Sequence, residues 1–313
     1  MSSDHHIKQS GYLDRGYHRI YWEDWGNPDG VPVMALHGGP GGSIESALKA
    51  VFDSTKHRVI FHDQRGGGKS TPFADTHENT SAHLISDIEA LREHLGIETM
   101  YVVGGSWGST LSLLYAIAHP ERVRRLMLWG VYLIRKEETD YVNLGLACWT
   151  FPEAWECFIS FVPLKERAIG EDVMRFYASQ VNSTDIKVAQ KYADEWVLWE
   201  WTLCSINYDP VALEADIMGN KECLATARLE LHYFQNGCFV PENHIMDNVP
   251  KITHIPCTVV QGRFDFCTPP FVAIDLKRAY GENLTLHMVN SGHMPDDPGM
   301  GEKLREVAAR ELV

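Results

Sequence analysis

The 313-residue sequence predicts an α/β fold: a mostly parallel central sheet flanked by helices, with a mainly helical cap insertion. Three observations predict it. Short apolar runs recur along the chain with amphipathic stretches between several of them, the pattern of strands alternating with helices. One run, VVGGSWGSTL (102–111), passes from β-branched residues through a serine set between glycines into a small-residue, leucine-containing stretch. A long middle segment, about 133–250, carries no strand pattern.

The runs that read as buried strands are IYWEDWG (20–26), VPVMALHG (31–38), RVIFHDQ (58–64), MYVVGGS (100–106), RLMLWGV (125–131), CTVVQG (257–262) and LTLHMVN (284–290). TSAHLISDIEALREHLG (80–96) reads as a helix, with Leu84, Ile88, Leu91 and Leu95 at helical spacing and Gly96 as its stop. The middle segment is rich in Trp, Tyr, Phe and Glu, as in YADEWVLWEWTLCSINYDP. It is expected to be a helical cap over the C-terminal edge of the sheet, where open α/β sheets hold their sites. Residues 1–132 and 251–313 would form the sheet domain and 133–250 the cap, with Pro250 and Pro256 flanking the return.

A formal charge of −14 argues against a nucleic-acid partner, since a phosphate backbone needs a basic stripe. No apolar run approaches the roughly 18 residues of a membrane span, and the polar N-terminus shows no signal peptide, so a cytoplasmic location is expected. Seven cysteines are scattered without a CxxC and read as reduced, buried hydrophobes rather than metal ligands. The stretch RGGGKST (65–71) is not a phosphate loop, because Asp63 stands where that loop needs glycine. The sequence leaves the oligomeric state open.

Gly104-x-Ser106-x-Gly108 fits the G-x-S-x-G elbow, a strained strand-to-helix turn that exposes a serine hydroxyl. The remaining groups should follow in the order acid, then histidine. Asp265 follows the strand CTVVQG, and His293 follows LTLHMVN. The oxyanion donors should be the N–H of Trp107 and one from HGGPGG (37–42), with Gly39 chosen and Gly38 the near alternative. No metal or organic cofactor is implied, because such a triad supplies its own base, nucleophile and electrophile.

Together HGGPGG, DQRGGGKS, DIEALREHLG, GGSWGSTLSLLYAIAHPERV, GRFD and SGH resemble the prolyl aminopeptidase (proline iminopeptidase) family of α/β-hydrolases. The match runs from about residue 10 to 300. The resemblance implies Ser106 as nucleophile, Asp265 and His293 as its partners, and release of N-terminal proline from small peptides. It also implies that Glu200, in the pair Trp199-Glu200, and Glu230, in ARLELHYF, bind the substrate's charged N-terminus; from the residues alone both read as helix-surface glutamates. Tyr132 is expected in the substrate pocket. The sequence departs from the family at Gly67, Tyr132, Val142-Asn143-Leu144, Trp201 and Met294-Pro295. None of these is a triad residue, but several lie where the proline ring should pack. An esterase or amidase of the same fold, or a non-catalytic binding protein on this scaffold, are the alternative readings.

Overall fold

A computed structural model describes residues 6–143, 147–167, 170–207 and 209–312. Its sheet comprises β1 (Ile7–Arg15), β2 (His18–Gly26), β3 (Pro32–Leu36), β4 (Arg58–His62), β5 (Met100–Gly105), β6 (Val123–Trp129), β7 (Cys257–Gly262) and β8 (Leu284–Val289). The order across the sheet is β1-β2-β4-β3-β5-β6-β7-β8. β2 pairs antiparallel with both β1 and β4, and every other neighbouring pair is parallel.

The seven apolar runs all become strands, and β1 is an addition. Its sequence, IKQSGYLDR, is polar and largely exposed, so no apolar pattern marks it. It forms by backbone pairing with β2, in register from Gln9↔Asp24 to Arg15↔His18 across a turn at Gly16, with a register shift before Gln9 that leaves Ile7 opposite Trp25.

The helices are α1 (Ser46–Lys49), α2 (Ser81–His94), α3 (Trp107–Ala118), α4 (Lys136–Asn143), α5 (Pro152–Ser160), α6 (Gly170–Val181), α7 (Ile186–Thr202), α8 (Pro210–Ile217), α9 (Glu222–Gln235), α10 (His244–Asn248), α11 (Pro270–Tyr280) and α12 (Met300–Glu311). They cover both faces of the sheet, as alternation of buried strand residues requires. On one face Met34, Leu36, Met100 and Val102 pack with Leu84, Ile88 and Leu91 of α2 and with Leu111 and Leu114 of α3. On the other, Val33, Ala35, Tyr101 and Val103 pack with Leu48 of α1 and with Leu304, Val307 and Ala308 of α12. Each buried leucine contributes about 1.5–3 kcal/mol by leaving water. Thr80 caps α2 by accepting from the His83 N–H, and Gly96, at φ +64°, lets the chain turn away beyond it.

Between β6 and β7 the described residues hold α4 to α10 and no strand. Phe158, Tyr177, Trp196 and Trp199 form an apolar cluster of their own there, with Phe158 and Tyr177 stacked at 4.6 Å. Tyr233, Cys238 and Ile245, further along, pack instead with the α2–α3 face of the sheet. No described helix is long and apolar enough to cross a membrane.

Glu89 ties α2 to α3. It accepts from Tyr115 Oη at 2.7 Å and from Arg92 at 2.9 and 2.5 Å. The Arg92 hydrogen bond, above all, holds its carboxyl at about 2, below the ordinary 4.5. A depressed value stabilises the fold above the unfolded pKa and is lost as pH falls through the folded one. The stability advantage of the native chain over Glu89→Gln is therefore expected to be constant above pH of about 5 and to shrink between about 4.5 and 2. Urea unfolding of both proteins across that range measures it; an advantage that persists at low pH contradicts this role for Glu89.

Candidate active site

Four parallel strands end on the same side of the sheet, so the loops that leave them converge. HGGPGG follows β3, Ser106 follows β5, Asp265 lies three residues past β7 and His293 four past β8. Short contacts hold the last two loops together: the Arg263 N–H donates to Val289 O at 2.7 Å and the Phe264 N–H to Ser291 O at 2.9 Å.

Ser106 adopts φ 55°, ψ −130°, a conformation that costs a non-glycine residue about 1–3 kcal/mol. Its N–H donates to Trp129 O at 3.1 Å, and its carbonyl accepts from the Ser109 N–H at 2.9 Å and the Ser109 hydroxyl at 2.7 Å. These bonds hold the turn while the Ser106 side chain stays partly exposed to a cavity. The glycine at 108 is a matter of space. A Cβ there would lie 2.1 Å from the Leu36 carbonyl oxygen at the end of β3.

Asp265 and His293 are both buried, with His293 Nδ1 at 2.8 Å from Asp265 Oδ2. The carboxylate is fully dressed. Oδ1 accepts from the N–H groups of Cys267 (3.0 Å) and Thr268 (2.7 Å), and Oδ2 from the Thr268 hydroxyl (2.8 Å) and the Gln261 amide (3.1 Å). Burial works against the imidazolium, but Asp265 outweighs it, with help from Cys267 and Glu200, and pushes the ring up to about 10. The charged ring that forms when His293 accepts a proton is thereby stabilised. Gly130, at φ +51°, makes the floor beneath the ring; a Cβ there would meet its Cε1 at 2.6 Å. The His293 N–H also donates to Cys204 O at 2.8 Å, anchoring this loop to the end of α7.

Trp107 opens α3, where a backbone N–H has no intrahelical acceptor. Gly39 and Trp107 line one cavity with Ser106, and Gly38 packs still closer to the serine. The conspicuous HGGPGG and DQRG motifs brace this arrangement. The Trp107 indole donates to Gln64 Oε1 at 2.9 Å, the Gln64 N–H to His37 Nε2 at 3.0 Å, and the Gln64 amide to His37 O at 2.9 Å. Asp63, rejected as part of a phosphate loop, accepts from the N–H groups of Ile44 (2.7 Å) and Lys69 (2.8 Å), which ties the two loops together.

Glu200 on α7 and Glu230 on α9 face two cavities that meet at Ser106. They are not surface groups: Glu230 is 1% exposed. Its Oε2 accepts from the Trp196 indole at 2.7 Å, and Oε1 has no donor while both carboxyls are ionised. Burial pushes Glu230 well above the ordinary range, and the Glu200 charge pushes it further. Burial also raises Glu200, against a hydrogen bond from Glu230. A buried carboxyl and a half-buried one placed together favour a shared proton or a bound cation.

One cavity, of about 60 Å³, is walled by Tyr132, Trp196, Trp199 and Phe234 and holds a small ring or about two waters. The other, about 130 Å³, opens past His293 and Trp201. All eight residues expected from the sequence therefore gather around one space. Val142 lines the smaller cavity, whereas Leu144 lies outside the described residues. Gln261 and Thr268 were not foreseen. A glutamine at the end of the otherwise buried run CTVVQG is the signal that marks the first; nothing in the sequence marks the second.

A profile described as alpha/beta hydrolase fold matches residues 31–295. The proline iminopeptidase of Arabidopsis thaliana is 43% identical over 290 residues, 92% of this chain and 75% of that protein. That of Neisseria gonorrhoeae is 42% identical over 304 residues, 95% of each. This chain belongs to the proline iminopeptidase family of α/β-hydrolases. Among solved structures, a thermophilic esterase from Thermogutta terrifontis is alike in fold, with a TM-score of 0.66 at 19% identity over 97% of this chain and 98% of that one.

Gly108→Ala is expected to force the elbow away from β3, lowering stability by about 1–3 kcal/mol and abolishing most labelling of Ser106 by a serine-directed phosphonate. Thermal unfolding and mass spectrometry of the labelled protein report the two effects. Unchanged labelling contradicts the role given to this contact.

Proposed function

We propose that this chain is a serine exopeptidase that releases N-terminal proline from peptides through an acyl-enzyme. One observation carries the reading: a pair of carboxyls, Glu230 buried and Glu200 half-buried, short of a cation, opens onto the same space as Ser106. A protonated imino group there would displace the shared proton and form charge-assisted hydrogen bonds with Glu200 and Glu230. The aromatic walls of the small cavity would take the pyrrolidine ring.

In this mechanism His293, oriented by Asp265, takes the Ser106 proton as the hydroxyl attacks the first peptide carbonyl. The N–H groups of Trp107 and Gly39 stabilise the oxyanion. The protonated His293 then gives its proton to the leaving amine. Water, activated by the same histidine, hydrolyses the prolyl ester and regenerates Ser106. Because the carboxyl pair requires a free terminus one residue from the scissile bond, the enzyme trims rather than cuts internally. The reading places the substrate-facing part of the cap, with Tyr132 at its edge, within residues 133–250.

Ser106→Ala is expected to lower kcat by on the order of 10⁴ or more. A rate panel on prolyl, leucyl and N-acetyl-prolyl naphthylamides, with a short ester lacking an amino group, tests specificity. Free prolyl substrate should be strongly preferred. Glu230→Gln should lose the prolyl amide while keeping the ester. Equal turnover of prolyl and N-acetyl-prolyl substrates would reject recognition of a charged terminus and leave an esterase.

A further inference from the structure

Two cysteines that the proposed mechanism does not use stand beside its histidine. Cys204 follows the C-terminal end of α7 and is buried; Cys267 lies two residues past Asp265. The Cys204 thiol donates to Glu200 O at 3.4 Å. One ligand atom from each of Cys204, Cys267 and His293 lies within 4.8 Å of the others. Cys267 Sγ is also 4.0 Å from Glu200 Oε1. We infer that Cys204, Cys267 and His293 form an inhibitory site for a thiophilic divalent cation of the zinc or cadmium kind, with solvent as the fourth ligand.

The donors are ones such ions take in tetrahedral sites: two thiolates and an imidazole, with the fourth position left to solvent. Bonds of about 2.0–2.3 Å place tetrahedral ligand atoms roughly 3.3–3.8 Å apart. The trio closes to that spacing with shifts of about 1 Å or less per side chain. The three donors come from three segments, the end of α7 and the loops after β7 and β8, the first and last already tied by the His293 backbone N–H to Cys204 O bond. The surroundings favour a cation, since no lysine or arginine lines either cavity, whereas Glu200 and Glu230 do.

Binding is ligand exchange without electron transfer. The hydrated ion loses water, both thiols release their protons to solvent, and two metal–sulfur bonds form with one to a His293 nitrogen. Ligation at Nε2 removes the base from Ser106; ligation at Nδ1 displaces Asp265. Either stops acyl transfer. This inhibitory consequence rests on the proposed role of His293, while the binding itself does not.

The test separates the two. Cadmium is titrated into Ser106→Ala protein and the ultraviolet cadmium–thiolate charge-transfer band is followed. One equivalent is expected per chain, with the band lost in Cys204→Ser and again in Cys267→Ser. Cys204→Ala replaces the first variant if serine misfolds. In parallel, zinc should inhibit the Ser106-containing enzyme, a chelator should restore it, and Cys204→Ser should weaken inhibition at least about tenfold relative to its own uninhibited rate. No band, or a band that survives both cysteine substitutions, overturns the site. A cysteine-dependent band with zinc-insensitive turnover overturns the inhibition and counts against His293 as the base.

Discussion

The first turn of α3 presses against the end of β3, and the candidate site depends on that approach. Only a glycine at 108 permits it, since the Leu36 carbonyl fills the space a side chain would need. The contact sets Ser106 beside the HGGPGG loop and turns the Trp107 indole toward Gln64. Gln64 in turn clamps His37, and Asp63 gathers the backbone of both loops. The strained Ser106 backbone persists because this network over-determines it.

Electrostatics supplies the second constraint. Asp265 accepts from two backbone N–H groups, the Thr268 hydroxyl and the Gln261 amide, which fix it against His293 Nδ1. Glu200 and Glu230 are opposite in character: adjacent, the first half-buried and the second buried with one oxygen lacking a donor. A site with a satisfied carboxylate on one side of the serine and an unsatisfied carboxyl on the other can orient a base and receive a cation at once. The same deficit of positive charge makes it receptive to a metal ion once two thiols are within reach, so substrate and metal would compete for one field.

The helical insertion contributes more than a cover. α7 and α9 bring the two glutamates, the aromatic wall and Cys204 into contact with loops of the sheet. Their aromatic cluster, centred on Phe158, Tyr177, Trp196 and Trp199, fixes the spacing of the glutamates. Trp196 belongs both to that cluster and to the hydrogen bond that orients Glu230, so the cap's packing holds that carboxyl in place.

Seven strands, α2 and the meeting of Ser106, Asp265 and His293 at one edge of the sheet were legible in the sequence because each leaves a local mark: an apolar run, a 3.6-residue period, or a motif just past a strand end. The glutamates were legible only through family resemblance, since their own positions look like helix surface. β1 escaped because a polar edge strand is held by backbone bonds that leave no side-chain pattern. Thr268, Gln261 and the approach of Cys204 to Cys267 escaped for a related reason. Their partners are set by the order of the parallel strands and by where α7 lands, contacts between residues far apart in the chain that no local spacing encodes. The sequence by itself determined the strands and the order of the chemical groups, because neighbouring residues dictate both. Only the tertiary structure decided that two cysteines and two glutamates surround one histidine, because packing across the sheet's carboxyl edge brings them there.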